Sequence, residues 1–181
     1  MAMSEWESEA MESFAERLEY SIKDKYKSVT QLSKESGIPE STLRNYKYAL
    51  QYPEINMLPL LAKHLDVPVD ELLWNGGEWQ IIRNRIIKKK DGRPEYIDKI
   101  REWKDRPFSV LLTNAIIYEY GSIEECADDI KIPTATLTRY ASGLRIPKTK
   151  YLKRICETFN LSADDALKTI DLEVKMHENV Q

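Results

Sequence analysis

The apolar residues of the N-terminal third of the chain recur at helical intervals. Met11, Phe14, Ala15, Leu18 and Ile22 lie on one face at this spacing, which predicts an amphipathic first helix ending before Ser28. Ser28 and Gln31 form an S-x-x-Q capping box, in which each side chain satisfies a free N–H at the start of a second helix. That helix carries Leu32 inward and stops at Gly37, the residue type that turns left-handed without steric penalty. Ile38 is an apolar turn residue, and Pro39, with its fixed φ, is suited to begin a third helix. This helix is expected to reach about Tyr48, with Leu43 and Tyr46 inward. Leu50 and Pro53 close a loop. Asn56 is a candidate cap for a fourth helix, whose buried stripe is Leu58, Leu61, Ala62 and Leu65. Pro59 falls in its first turn, where a missing N–H costs little. Val69–Leu73 completes the set as a short fifth helix.

The whole pattern then returns. Phe14 to Leu73 overlies Phe108 to Leu167 without a gap, every counterpart standing 94 residues further on. Phe14, Leu18, Ile22, Tyr26, Ser28, Ile38, Pro39, Thr42, Leu43, Tyr46, Leu50, Pro53, Leu58, Asp70 and Leu73 all recur unchanged. Most are apolar, so the repeated object is a helical core. With two copies of about 60 residues each, this is a duplicated small domain and not a solenoid. The second copy has its own capping boxes in Ser122–Glu125 and Ser162–Asp165.

The expected organisation is all-α: an acidic arm over 1–11, a first domain over 12–76, a connector over 77–107, a second domain over 108–170 and a fraying tail over 171–181. Periodicity allows two readings of the connector's first half, a helix with Trp79, Ile82 and Ile86 or a strand with Ile81 and Ile87 on one face. The helix is favoured because an isolated strand lacks partners. After Pro94, Tyr96, Ile100 and Trp103 make a helical stripe.

Charge changes the picture by being segregated. The net charge is −3, yet residues 1–20 carry six Glu against one Arg, and residues 77–107 carry ten basic against six acidic groups. A basic surface of that kind attracts phosphate within a Debye length in spite of the average. No run approaches the roughly 18 apolar residues of a membrane span, and the acidic N-terminus has no apolar signal core. A cytoplasmic protein without membrane partners is therefore expected. Cys126 and Cys156 stand opposite Leu32 and Ala62 of the first copy, which points to reduced packing residues.

A capped helix, a tight apolar turn and a second helix with inward residues describe a helix-turn-helix, and both copies meet it. The run Gln31-Leu32-Ser33-Lys34-Glu35-Ser36-Gly37-Ile38-Pro39-Glu40-Ser41-Thr42-Leu43, followed by Leu50, Pro53, Leu58, Leu61-Ala62, Leu65-Asp66-Val67 and Asp70-Glu71-Leu72, resembles the five-helix Xre/Cro/C1 repressor domain of bacteria and phages. The second copy is similar through Ile132-Pro133-Thr134-Ala135-Thr136-Leu137-Thr138-Arg139-Tyr140, Ser142-Gly143, Pro147 and Leu161-Ser162-Ala163-Asp164-Asp165. It departs where Lys131 replaces the turn glycine and where Ala127, Asp128 and Asp129 make the preceding helix acidic. The resemblance implies two lambda-repressor-like domains, double-stranded DNA as partner, a nucleoid-associated location and a transcriptional regulator, most simply a repressor.

A helix of this length fits the major groove, so the residues facing away from Leu43 and Leu137 are the candidates to meet base edges. These are Glu40, Ser41, Arg44, Asn45 and Lys47 in the first copy, and Thr134, Ala135, Thr138, Arg139 and Ser142 in the second. Either arginine could donate a bidentate pair to guanine, Asn45 could pair with adenine and Glu40 could accept from cytosine. The candidate phosphate contacts are Arg145, Lys148, Lys150, Lys153 and Arg154, the Ser28 hydroxyl, and the connector cations Arg83, Arg85, Lys88, Lys89 and Lys90. Beside its third helix the first copy offers only Lys47 and Lys63, with Glu54 between them.

No Gly-rich phosphate loop, H-E-x-x-H, paired C-x-x-C or nucleophile elbow occurs. His64 and His177 have no catalytic pairing, so no enzyme, cofactor or metal site is expected. Two domains on one chain could occupy two half-sites, and a homodimer would present four recognition helices. Two alternatives stand beside the regulator: an adaptor or inhibitor that binds a protein partner, and a DNA-targeting subunit of a recombinase or transposase.

Overall fold

The computed structural model describes residues 5–74, residue 99 and residues 102–178. Among these residues all regular secondary structure is helical: α1 Glu5–Lys25, α2 Val29–Ser36, α3 Glu40–Lys47, α4 Met57–Leu65, α5 Val69–Leu73, α6 Phe108–Tyr120, α7 Ile123–Asp129, α8 Thr134–Ala141, α9 Thr149–Phe159 and α10 Ala163–Glu178. The chain divides into two compact units, Met1–Gln80 together with Lys148–Lys150, and Ile81–Pro147 together with Tyr151–Gln181. The predicted first half of the connector, with Arg83, Arg85, Lys88, Lys89 and Lys90, lies outside the described residues. Of its second half, Lys99, Glu102 and Trp103 are helical. The Trp103 ring meets Tyr118 edge-on at 6.3 Å, and the Lys99 ammonium sits 4.6 Å over the same tyrosine.

In the first unit α1 packs on α3, α4 and α5, and α2 packs on α3 and α4. Phe14, Leu18, Leu32, Leu43, Leu58 and Leu61 are fully buried between them, one contribution from each of the four longer helices at least. The Ser28 hydroxyl accepts from the Gln31 N–H at 3.2 Å, closing the start of α2. The Gln31 side chain returns the bond to the Lys27 N–H, not to Ser28 itself, so the box is displaced by one residue. Asn56 does not cap α4. Its backbone is already helical, inside a turn in which the Met57 N–H donates to the Glu54 carbonyl at 2.9 Å. Nor does α1 wait for Met11: it begins at Glu5, since Glu, Ala and Met are strong helix formers and acids suit a helix N-terminus.

The second unit repeats the scheme. Helix α6 packs on α7, α8 and α10, and α8 packs on α7. Phe108, Leu112, Cys126, Leu137, Leu152 and Cys156 are fully or almost fully buried. Both cysteines are buried, and burial pushes the Cys126 thiol up to about 12, which keeps it protonated. Ser122 and Ser162 cap α7 and α10 by accepting from the N–H groups of Glu125 and Asp165.

The left-handed backbone positions recur at the same register as the side chains. Gly37, Ala49 and Asp66 have φ of 73°, 54° and 61°, and their counterparts Lys131, Gly143 and Asn160 have 52°, 70° and 53°. Lys131 thus adopts the turn that a glycine makes in the first unit, at a steric cost of about 1–2 kcal/mol. The tail differs from its expectation. It remains helical to Glu178, because the Glu173 carboxylate accepts from the Ser109 N–H at 2.8 Å and its hydroxyl at 2.9 Å, pinning the added turns to the start of α6.

Candidate nucleic-acid interface

Each unit seats the helix that follows its tight turn on the same three buried side chains, Ile38, Leu43 and Tyr46 in the first and Ile132, Leu137 and Tyr140 in the second. In the first, Gly37 ends α2 with its N–H on the Ser33 carbonyl, Ile38 is 3% exposed, and the Ser33 hydroxyl donates to the Ile38 carbonyl at 2.7 Å. These contacts fix the three-residue turn. Leu43 and Tyr46, 0% and 2% exposed, then set the rotation of α3 about its axis. In the second unit Ile132, Leu137 and Tyr140 do the same for α8. The Thr113 hydroxyl adds a bond to the Ala141 carbonyl at 2.9 Å, tying the end of α8 to α6.

The outward residues of the two helices behave differently. On α8, Thr134, Ala135, Thr138, Arg139 and Ser142 are all exposed. Two hydroxyls bond back to their own helix, Thr138 to the Thr134 carbonyl at 2.8 Å and Ser142 to the Arg139 carbonyl at 3.3 Å. Among the described residues the Arg139 guanidinium makes no ion pair. On α3, Ser41 and Arg44 are exposed, whereas Glu40, Asn45 and Lys47 are half-buried. Arg44 donates through Nε and Nη2 to Glu40 Oε1 at 2.9 and 2.6 Å. Lys47 turns away from the outer face to the Glu19 carboxylate on α1, 3.2 Å away. Arg44, then the Thr30 hydroxyl, hold the Glu40 carboxyl below its usual range, and Glu40 in turn raises the Arg44 guanidinium. Lys23 and Lys47 lower Glu19 in the same way.

The candidate phosphate contacts also separate. Arg145 and Lys148 are exposed, and Lys150 and Lys153 are half-buried. Arg154 is placed otherwise than expected: its Nη1 donates to the Ile130 carbonyl at 2.7 Å and the Lys131 carbonyl at 3.3 Å. There it closes the C-terminus of α7, where a cation meets the negative end of the helix dipole. Ser28 is occupied as the cap of α2. Glu19, the partner of Lys47, is not found from the sequence, because a partner contributed by another helix leaves no signal in spacing. Leu50 and Leu144, which recur and read as loop-closing residues, are instead 71% and 80% exposed beside the ends of α3 and α8.

No protein-family model, curated protein or solved structure matches the chain. Among the described residues no helix is long and apolar enough to cross a membrane, and no group of three His, Cys, Asp or Glu side chains is arranged to hold a metal.

Proposed function

We propose that the chain is a non-enzymatic, double-stranded-DNA-binding regulator built on two lambda-repressor-like helix-turn-helix domains of the Xre/Cro/C1 kind, most simply a transcriptional repressor. The observation that carries this reading is the outer face of α8. Thr134, Thr138, Arg139 and Ser142 are exposed on it, while Leu137 and Tyr140 anchor the opposite side. A helix so mounted can enter the major groove, with Arg139 as its one cation able to make a bidentate pair with guanine. Exposed Arg145 and Lys148 follow in the next loop, where cations would grip phosphate and fix the register of the helix on the duplex. On α3 the exposed Ser41 and Arg44 give the first unit a narrower reading face.

The test is a titration of random duplex DNA at two salt concentrations, followed by selection of bound fragments from a random library. Phosphate binding gives a linear fall of log affinity with log salt, with a slope of about −0.9 per neutralised phosphate. Arg139→Ala should weaken binding to a selected duplex by roughly 5- to 150-fold, the range of one good bidentate pair, with little change in melting temperature. A flat salt response together with no enriched sequence would remove DNA as the partner and leave protein binding as the better account.

A further inference from the structure

Arg44 and Glu40 carry a more specific statement, which rests on the reading of α3 as a helix that enters the major groove. A guanidinium has five N–H donors in a planar fork. In the first unit the edge formed by Nε and Nη2 is taken by one carboxylate oxygen, Glu40 Oε1, at 2.9 and 2.6 Å. The end of the fork, Nη1 with the second hydrogen of Nη2, is not engaged by Glu40. Two parallel donors there match the O6 and N7 acceptors that guanine presents in the major groove.

We infer that Glu40 is a positioning residue and not a base reader: through its two bonds to Nε and Nη2 it holds Arg44 so that the outer end of the guanidinium addresses one guanine in the half-site of the first unit. A flexible arginine loses side-chain entropy when it is fixed on a base. An arginine already held loses less, and it tolerates fewer geometries. Selectivity therefore rises even though a carboxylate near phosphate lowers affinity for DNA in general. The second unit lacks the device. The matching positions are Thr134 and Thr138, whose bond runs from hydroxyl to backbone carbonyl. Its arginine stands one position later, at Arg139, about 100° further around the axis. The first unit is thus the stricter reader and the second the more adaptable one.

The experiment uses the full chain and a duplex selected from a random library by the wild-type protein. Affinity is measured for that duplex, for the same duplex with the guanine pair of the first half-site changed to adenine–thymine, and for random duplex. Wild-type protein should prefer the guanine pair by roughly 5- to 150-fold, and Arg44→Ala should abolish that preference. Glu40→Ala should bind random duplex more tightly, having lost a negative charge, and yet discriminate guanine from adenine several-fold less well. Glu40→Gln, which keeps an acceptor, should fall between the two. Unchanged or sharper discrimination in Glu40→Ala, with Arg44→Ala still losing it, would overturn the positioning role alone. Failure of the wild-type protein to enrich any duplex would instead overturn the DNA-binding reading, and the role of Glu40 with it.

Discussion

Position 17 of the first unit is an arginine, and the matching position of the second, Leu111, is a fully buried leucine. The two units close their last helix by opposite means as a result. Arg17 on α1 donates to the carbonyls of Leu72 and Leu73 at 2.9 and 2.8 Å and to the Ser13 hydroxyl. The C-terminus of α5 is thereby capped by a cation, and Trp74 leaves it in an extended conformation, 1% exposed. In the second unit no such cation exists at position 111. Helix α10 runs on to Glu178, and its Glu173 carboxylate caps the N-terminus of α6 through Ser109. Both arrangements obey the helix dipole, with positive charge at carbonyl ends and negative charge at amide ends. One helical scaffold therefore accepts two fastenings of opposite sign, and the fastening decides where the last helix stops.

The comparison breaks most readily in the cores. Leu43→Ala and Leu137→Ala each truncate a side chain with no exposed surface and should cost about 2–5 kcal/mol, read from urea unfolding of the full chain. A loss well under 1 kcal/mol from either would show that its unit is not packed around that leucine.

The fastenings come next. Glu173→Ala leaves the Ser109 N–H without its charged acceptor and should cost about 1–3 kcal/mol; Arg17→Ala should act through α5 by a similar amount. Gly143→Ala sharpens the same point. Its φ is +70°, and an added Cβ would clash with Glu173 Oε1, a carboxylate that cannot retreat without giving up Ser109. About 1–2 kcal/mol or more should be lost. Ala49→Gly, at the matching position of the first unit, should be neutral or slightly stabilising, since a left-handed residue there gives up its Cβ penalty. Destabilisation of equal size in both glycine exchanges would contradict the assigned backbone conformations.

The smallest effect concerns the matched tyrosines. Tyr26 donates to the His64 carbonyl at 2.9 Å, whereas Tyr120 donates to the Asp129 carboxylate at 2.7 Å. Burial first, then Asp129, push the Tyr120 hydroxyl well above its ordinary range, and burial moves Tyr26 the same way by less. The folded chain then holds the proton to a higher pH than the unfolded chain does. The associated stability is intact below about pH 10 and is lost as pH rises beyond it. Melting temperature against pH should consequently fall less steeply above pH 10 in Tyr120→Phe than in the wild type, with a weaker change in Tyr26→Phe.

Helix order, inward residues and the three serine caps were legible because each depends on neighbours a few residues away. Phe14, Leu18, Leu43 and Tyr46 declare their face by spacing alone. Spacing is silent where the partner is remote or where local geometry pre-empts a side chain. Asn56 is a sound cap by type, but the preceding turn had already taken a helical course. Spacing marks Arg154 as a cation and does not disclose that it also meets the open carbonyls at the end of α7. Lys47 is claimed by Glu19, a residue of another helix.

Duplication at constant register, the all-helical pattern and the outward position of Arg44 and Arg139 follow from the order of residues, because periodicity and capping act over one or two turns. Packing, in contrast, determines which of the charges find a partner on another helix. Glu19 with Lys47 and Glu173 with Ser109 are pairings between helices, whereas Glu40 and Arg44 stand four apart on α3 and their pairing is open to spacing. A charge–charge or charge–amide bond forms at about 3 Å and fades beyond it, a distance that packing sets and that one-dimensional spacing carries only inside a single helix.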